Sequence, residues 1–387
     1  MRHLSIPAGI DWPVQFCVLV SVVTYVASIV TSNVSQVDRL WTFLPTIYTA
    51  YYALLPLWPN KQHLPFTPYT PKSLGHDIVK DFSPRALLML ALAAVWTCRL
   101  SYNTWRRGLF ALNDEDYRWA VLRKRVPAWF FQVVNLTFIA AIQNVLLLLL
   151  GLPAAIASTL QPHDSLSTSD KLLAALALLI LALEFTADNQ QYAFQSFKHA
   201  YLAREKGDLS VEQYDEKKHW PGARLTFTPA DARRGFITRG LWAWSRHPNF
   251  ACEQSFWWII NLMPLLAPPP PFLPGGHEIP MGKFLKFIFT EPSRVKSLLA
   301  PLIPDILYIL PAAALTLLFI SSTLFTESIS KSKYPKAYAA YQKRVAMFDP
   351  STTVWKSVIH YLFRNEAEKR TIDALVWGEP EDAKKVQ

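Results

Sequence analysis

The residues of this chain best suited to chemistry stand at the edges of its apolar stretches. One set is Glu184, Asp188, Asn189, Gln190 and Gln191. Glu184 and Asp188 are four apart and would share a helix face. Two carboxylates so close to an apolar run either find cationic or hydrogen-bonding partners or mark a hydrated helix end. A second set runs from Gly240 through Trp242, Trp244, Ser245, Arg246, His247, Pro248, Asn249 and Phe250 to Glu253. Pro248 suits a first helical turn, where its missing N–H costs nothing. Asn249 and Glu253 then share a face, and Glu253 lies about one turn inside apolar sequence. A carboxylate there must be paired, hydrogen-bonded or protonated. Arg246 and His247 could meet the negative groups of a ligand or pair internally.

A third set is Arg99, Tyr102, Asn103, Arg106 and Arg107, followed by Asp114, Glu115, Asp116, Tyr117 and Arg118. Arginine suits bidentate contact with phosphate, while mixed signs over so short a stretch equally describe a salt-bridged interfacial helix. The last set is Glu327, then Tyr334, Tyr338, Tyr341, Lys343 and Arg344. The tyrosine spacing makes an aromatic stripe, read as packing or as the cover of a cofactor pocket. No GxGxxG, P-loop, HExxH or nucleophile elbow occurs. The nine histidines form no compact ligand set, so no metal is expected. Cys17, Cys98 and Cys252 have no short spacing and read as small packing residues.

The elements that position these sets are membrane helices. The chain has 387 residues, 51% hydrophobic and 18% charged, against about 25% charged in an ordinary soluble domain. Its apolar residues come in runs of about 17–24, the length that crosses a hydrocarbon core. Seven spans are expected, near residues 12–30, 40–58, 84–100, 127–150, 171–187, 248–266 and 302–324. The third and fifth are short enough to be re-entrant, and Gly151 and Pro153 weaken the end of the fourth. Basic residues crowd the third-to-fourth loop, the fifth-to-sixth loop and the tail, which seven spans place on one side. The positive-inside rule makes that side cytosolic and the amino terminus lumenal or external. The net charge of +10 then suits anionic headgroups or a phosphate-bearing ligand rather than nucleic acid. Asn33-Val34-Ser35 is a glycosylation sequon in an expected cytosolic loop, where it should stay unmodified. The Pro- and Gly-rich stretch 268–301 reads as a lumenal loop with a short interfacial helix near Lys283 to Phe289.

These sets carry a resemblance. Ala187-Asp188-Asn189-Gln190, the run from Gly240 to Phe250 with Glu253, and Glu327 with Tyr338, Tyr341, Arg344 and Pro350 resemble the DUF1295 branch of the steroid 5-alpha-reductase-like membrane proteins. In that branch the corresponding elements read ADxQ, GLWxxSRHPNYxGE and YxxYxxRxxxxxP. Trp96, Arg99-Leu100, Arg106-Arg107 and Asp116-Tyr117-Arg118 are similar to its upstream element, and the likeness covers roughly residues 85–350. Isoprenylcysteine carboxyl methyltransferases are more distantly similar, through a shared RHPxYxG element.

The resemblance implies an all-alpha bundle of about seven transmembrane helices with cytosolic cofactor-binding loops. It implies an N-terminal region 1–83 of two spans, a reductase-like domain 84–350 and a cytosolic tail 351–387. It implies residence in the endoplasmic reticulum, a lipid-like substrate among membrane lipids and no obligate protein partner. The cofactor would be NADPH, or S-adenosylmethionine on the methyltransferase side. Cofactor contacts would come from Arg99, Asn103, Arg106, Arg107, Asp116, Arg118, Asp188, Asn189, Gln190, Arg246, His247, Asn249, Glu253, Tyr338, Tyr341 and Arg344. A 1,4-reduction of an activated alkene needs a proton donor, for which Tyr102 and then Tyr48 are the candidates. The chain departs from the pattern at Cys252, where glycine is usual, and at Phe250, where tyrosine is usual. The second span also lacks the glutamate that steroid reductases use to orient substrate. A lipid-binding protein without catalysis is the remaining reading.

Overall fold

Helices account for all the regular structure in the described residues, and no strand occurs among them. The computed structural model describes residues 9–74, 80–268, 290 and 308–378. In chain order the helices are α1 (Asp11–Thr31), α2 (Gln36–Trp41), α3 (Leu44–Ala53), α4 (Pro84–Arg106), α5 (Tyr117–Arg125), α6 (Ala128–Thr159) and α7 (Thr168–Glu205). They continue with α8 (Pro229–Arg234), α9 (Pro248–Leu265), α10 (Leu310–Lys333), α11 (Pro335–Arg344), α12 (Pro350–Phe363) and α13 (Glu366–Trp377). Five of them, α1, α4, α6, α7 and α10, are long and apolar enough to cross a membrane. The protein is a multi-pass, all-α membrane protein.

The expected spans differ from these helices in instructive ways. The run 40–58 is broken: α2 ends at Trp41, and α3 is only 10 residues, followed by a 3-10 turn at Leu55–Leu57. Ten residues rise about 15 Å, half a hydrocarbon core. Its apolar character serves burial instead, since Tyr48, Thr49, Tyr51, Tyr52 and Ala53 are all buried. The third and fifth spans are longer than expected, 23 and 38 residues. Their polar ends stay helical, so Arg99 to Arg106 lie on α4 and Glu184 to Gln191 lie in the middle of α7. α9 has the length of a span but carries Asn249, Glu253, Gln254 and Asn261 and is not among the five. The start of the expected seventh span and the interfacial helix near 283–289 lie outside the described residues.

The chain divides into two compact units, Met1–Leu178 with Trp257–Thr316 and Leu179–Phe256 with Leu317–Gln387. In the first, α3 packs against α4 and α6, and α1 packs along α6. Gly151 of α6 permits this closeness, because a Cβ there would lie 2.4 Å from Tyr48 Cβ. Arg85 at the start of α4 forms a buried bidentate pair with Asp170 (2.7 and 3.0 Å) and bonds Gln161 (2.9 Å). Residues Asn135–Ile142 of α6 are π-helical. Asn135 Nδ2 donates to Ser28 Oγ (2.8 Å) and Asn144 Nδ2 to Thr24 Oγ1 (3.2 Å), all four residues being buried. These bonds tie α6 to α1 inside an apolar setting, where a polar pair has no water to compete for it.

In the second unit, Phe194, Phe227, Ile237 and Trp242 form one core, and Tyr338, Tyr341, Val345, Ile372 and Val376 form another. α8 opens with a reciprocal Thr228–Asp231 capping box. It ends at Gly235, whose φ of +86° and contact with the Tyr334 ring both exclude a side chain.

Candidate functional site

The pieces of the sequence motif that lie far apart in the chain converge in the second unit. Gln190, in mid-α7, accepts from Leu241 N (2.9 Å) and donates to Gly222 O (2.9 Å). Gly240 makes room for this amide, since a Cβ there would lie 2.6 Å from Gln190 Oε1, and its φ is +63°. Trp242 Nε1 donates to Ala187 O (3.2 Å), and Asn249 Nδ2 donates to Asp188 Oδ1 (3.1 Å). The AD-N-Q and GLW…HPN elements are therefore one hydrogen-bonded assembly.

Behind it sits Glu327, the lone carboxylate of α10. Arg246 Nε (2.7 Å) and Nη2 (3.0 Å) grip its two oxygens, His247 Nε2 lies 3.0 Å from Oε1, and Gln342 Nε2 donates to Oε2 (2.8 Å). Arg246 Nη1 also donates to Val345 O. The backbone completes the joint, with Arg246 N to Ala346 O (2.9 Å) and His247 N to Met347 O (3.1 Å). Burial pushes the His247 imidazole down toward its neutral form, against the pull of Glu327. Thr353 Oγ1 accepts from Ala346 N (2.8 Å) and donates to Trp244 O (2.6 Å), tying α12 to the same segment.

The expected contacts thus separate into kinds. Arg246 is committed to Glu327 and Val345, and Gln190 to the backbone of its own loop. Tyr338 and Tyr341 are core residues beside Phe236, with the Tyr341 hydroxyl donating to Trp242 O. Burial raises both phenols above their ordinary range and keeps them neutral. Arg344 pairs with Asp373 (2.9 Å) and Ser357 (3.2 Å). Asp188, Asn189, His247 and Glu253 are buried, and the Oδ1 of Asn249 is a buried acceptor with no hydrogen-bond partner. Gln342 and Thr353 hold the joint yet escape sequence reasoning. Small polar residues on amphipathic helices give no signal of their own, although one carboxylate in an apolar helix does mark Glu327.

The upstream set lies in the first unit. Arg106 bonds Asn103 Oδ1 (3.1 and 2.9 Å) and stacks over Tyr102, which is exposed. Arg107 is exposed and Arg99 buried. Asp116 caps α5 and pairs with Arg118 (2.8 Å), while its own N–H donates to Ser35 Oγ (3.0 Å). Tyr48 is wholly buried; its hydroxyl has the Cys17 thiol as polar neighbour and completes no hydrogen bond. No group of three metal-ligating side chains occurs among the described residues.

Residues 24–268 match the family described as "Protein of unknown function (DUF1295)". The chain belongs to the DUF1295 family. The match reaches back into α1, further than the motif pieces extend. The chain is similar to the uncharacterized protein C594.04c of Schizosaccharomyces pombe, 29% identical over 323 residues that cover 84% of this chain and 74% of the yeast protein. No solved structure matches.

Proposed function

We propose that this DUF1295 protein is a membrane oxidoreductase that uses NADPH to reduce an activated carbon–carbon double bond of a lipid, of sterol, steroid or enoyl type. The observation that carries the reading is the unsatisfied acceptor at Asn249, held beside Asp188 in a buried, motif-built cluster. A buried carbonyl without a donor costs free energy unless a ligand supplies one. A carboxamide N–H or ribose hydroxyl fits it, and both belong to a nicotinamide nucleotide. When bound, NADPH supplies the hydride. The chain's own residues do the rest. Asp188 accepts from Asn249 Nδ2 and so fixes the amide, leaving its buried oxygen as the acceptor for a ligand donor. Neutral His247 adds no competing charge. The Arg246–Glu327 joint positions both and leaves Arg246 itself away from the ligand. The candidate proton donors remain Tyr102, which is exposed, and Tyr48, which is wholly buried. The same reading carries residence in the endoplasmic reticulum and a cytosolic carboxyl terminus.

The test is ligand binding by the purified full chain in nanodiscs, with NADPH and S-adenosylmethionine titrated side by side. Saturable NADPH binding that is lost in Asn249→Leu, with unchanged thermal unfolding, is expected. Binding of S-adenosylmethionine instead would move the protein to the methyl-transfer side. Binding of neither by folded protein would leave a non-catalytic lipid-binding role.

A further inference from the structure

Helix α12 presents the wrong face to water. Its buried side is polar: Thr353 and His360 are buried, and Lys356 reaches inward to Gln342 O (2.8 Å) and Val345 O (3.1 Å). Its outer side carries Val354, Trp355, Val358, Ile359, Tyr361, Leu362 and Phe363, with Trp355 67% and Phe363 79% exposed. At about 100° per residue these side chains fill roughly half the helix circumference without an ionic group among them. A soluble tail would show the reverse arrangement.

The chain itself indicates what covers this face. α10 is a candidate span whose last turn carries Lys331 and Lys333, the basic ending of a helix that reaches a headgroup layer. α11 begins two residues later and is 10 residues long, about 15 Å, so α12 starts within reach of the same membrane surface. Thr353 then pins α12 to Trp244, itself 55% exposed, at the entry to the apolar helix α9. Outward aromatic residues at two points, with Arg364 at the helix end, are the composition of an interfacial anchor.

We propose that α12 is a monotopic anchor that lies in the bilayer interface, its Trp355–Phe363 face sunk among the headgroups and upper acyl chains. It is not a free tail. Because Thr353 and Ala346 hang on the same backbone that bears Arg246 and His247, the anchor also fixes the depth of that segment relative to the lipid.

The full chain, reconstituted in nanodiscs of phosphatidylcholine with phosphatidylserine, tests this. A fluorophore is attached to Ile359→Cys and, separately, to Leu362→Cys, in a background where Cys17, Cys98 and Cys252 are changed to Ala. A label at Glu366→Cys, on the next helix, serves as the water-facing control. The expected result is quenching of the first two labels by lipids carrying a shallow nitroxide and protection from iodide, with the reverse at residue 366. Iodide quenching at 359 and 362 without any lipid effect would overturn the proposal. So would insensitivity to both quenchers accompanied by cross-links between copies, which would assign the face to a second copy of the chain.

Discussion

Removing the Glu327 carboxylate should destabilise the protein severely, and for a reason that separates charge from packing. The side chains of Arg246 and Glu327 are 6% and 4% exposed. Glu327→Ala leaves a desolvated guanidinium with only Val345 O as acceptor and strips Gln342 and His247 of their partner. Breaking one half of a buried ion pair costs about 3–5 kcal/mol, because the surviving charge stays buried. At 1.4 kcal/mol per decade that is roughly a hundredfold to several-thousandfold shift in the folding equilibrium. Replacing both partners with apolar residues removes the stranded charge, so Arg246→Met/Glu327→Leu should recover most of the loss. The assay is unfolding in mixed micelles of rising sodium dodecyl sulfate fraction, run as a double-mutant cycle. A single Glu327→Ala variant within about 1 kcal/mol of the parent would refute the account of a dry, mutually dependent pair. A double variant as unstable as the summed singles would show that the two act independently.

Other outcomes follow from particular contacts. Gly240→Ala forces a Cβ against Gln190 at φ +63°, so it should lower the melting temperature in detergent by several degrees, about 1–3 kcal/mol; an unchanged melt would mean that the Gln190 brace carries no strain. Asn33 should carry no glycan whichever side it faces. Its amide is buried and donates to Leu112 O and Asp114 O at 3.0 Å each, and a glycosidase-sensitive mass shift would contradict this local fold. The loop at residues 111–118 should loosen in acid. Arg118 hydrogen-bonds and attracts Asp116, and Arg123 does the same for Glu115, holding both carboxyls below the ordinary range despite burial. The folded state therefore binds protons less readily than the unfolded one. The stabilisation is fully present above about pH 5 and is lost as pH falls through the lowered values. Hydrogen exchange across the loop, compared at pH 6 and pH 3 after correction for intrinsic rates, measures it; equal protection would dismiss the electrostatic contribution.

The helices were legible wherever one period and one environment coincided. The starts of α4 and α9 fall where Pro84 and Pro248 announce them, because proline suits a first turn, where its missing N–H costs nothing. Interiors with mixed demands were not legible. The run 40–58 has the apolar content of a span, yet its tyrosines are spent on packing around Gly151, and composition does not distinguish lipid-facing from protein-facing surface. α7 extends past its apolar run, and there Asp188 and Gln190 find protein partners that no local window contains. The site shows the same division. Its residue types were visible, but the direction of Arg246 was decided by Glu327, eighty-one positions away. The sequence leaves ligand contact and internal pairing open for Arg246, and the long-range geometry supplies the internal pair with Glu327.

The π-helical stretch of α6 acts as a phase corrector. Asn135 and Asn144 are nine residues apart, about two and a half turns of regular α-helix, which would set them on opposite sides. The wider turns of a π segment, about 4.4 residues each, make nine residues close to two whole turns. Both amides therefore arrive on the side that meets Thr24 and Ser28, themselves one turn apart on α1. The lock between the two helices is thus written in helical pitch as much as in side-chain identity. Deleting a single apolar residue from the stretch 138–142 would keep all four of these hydrogen-bonding side chains and still turn one of the two asparagines away from α1.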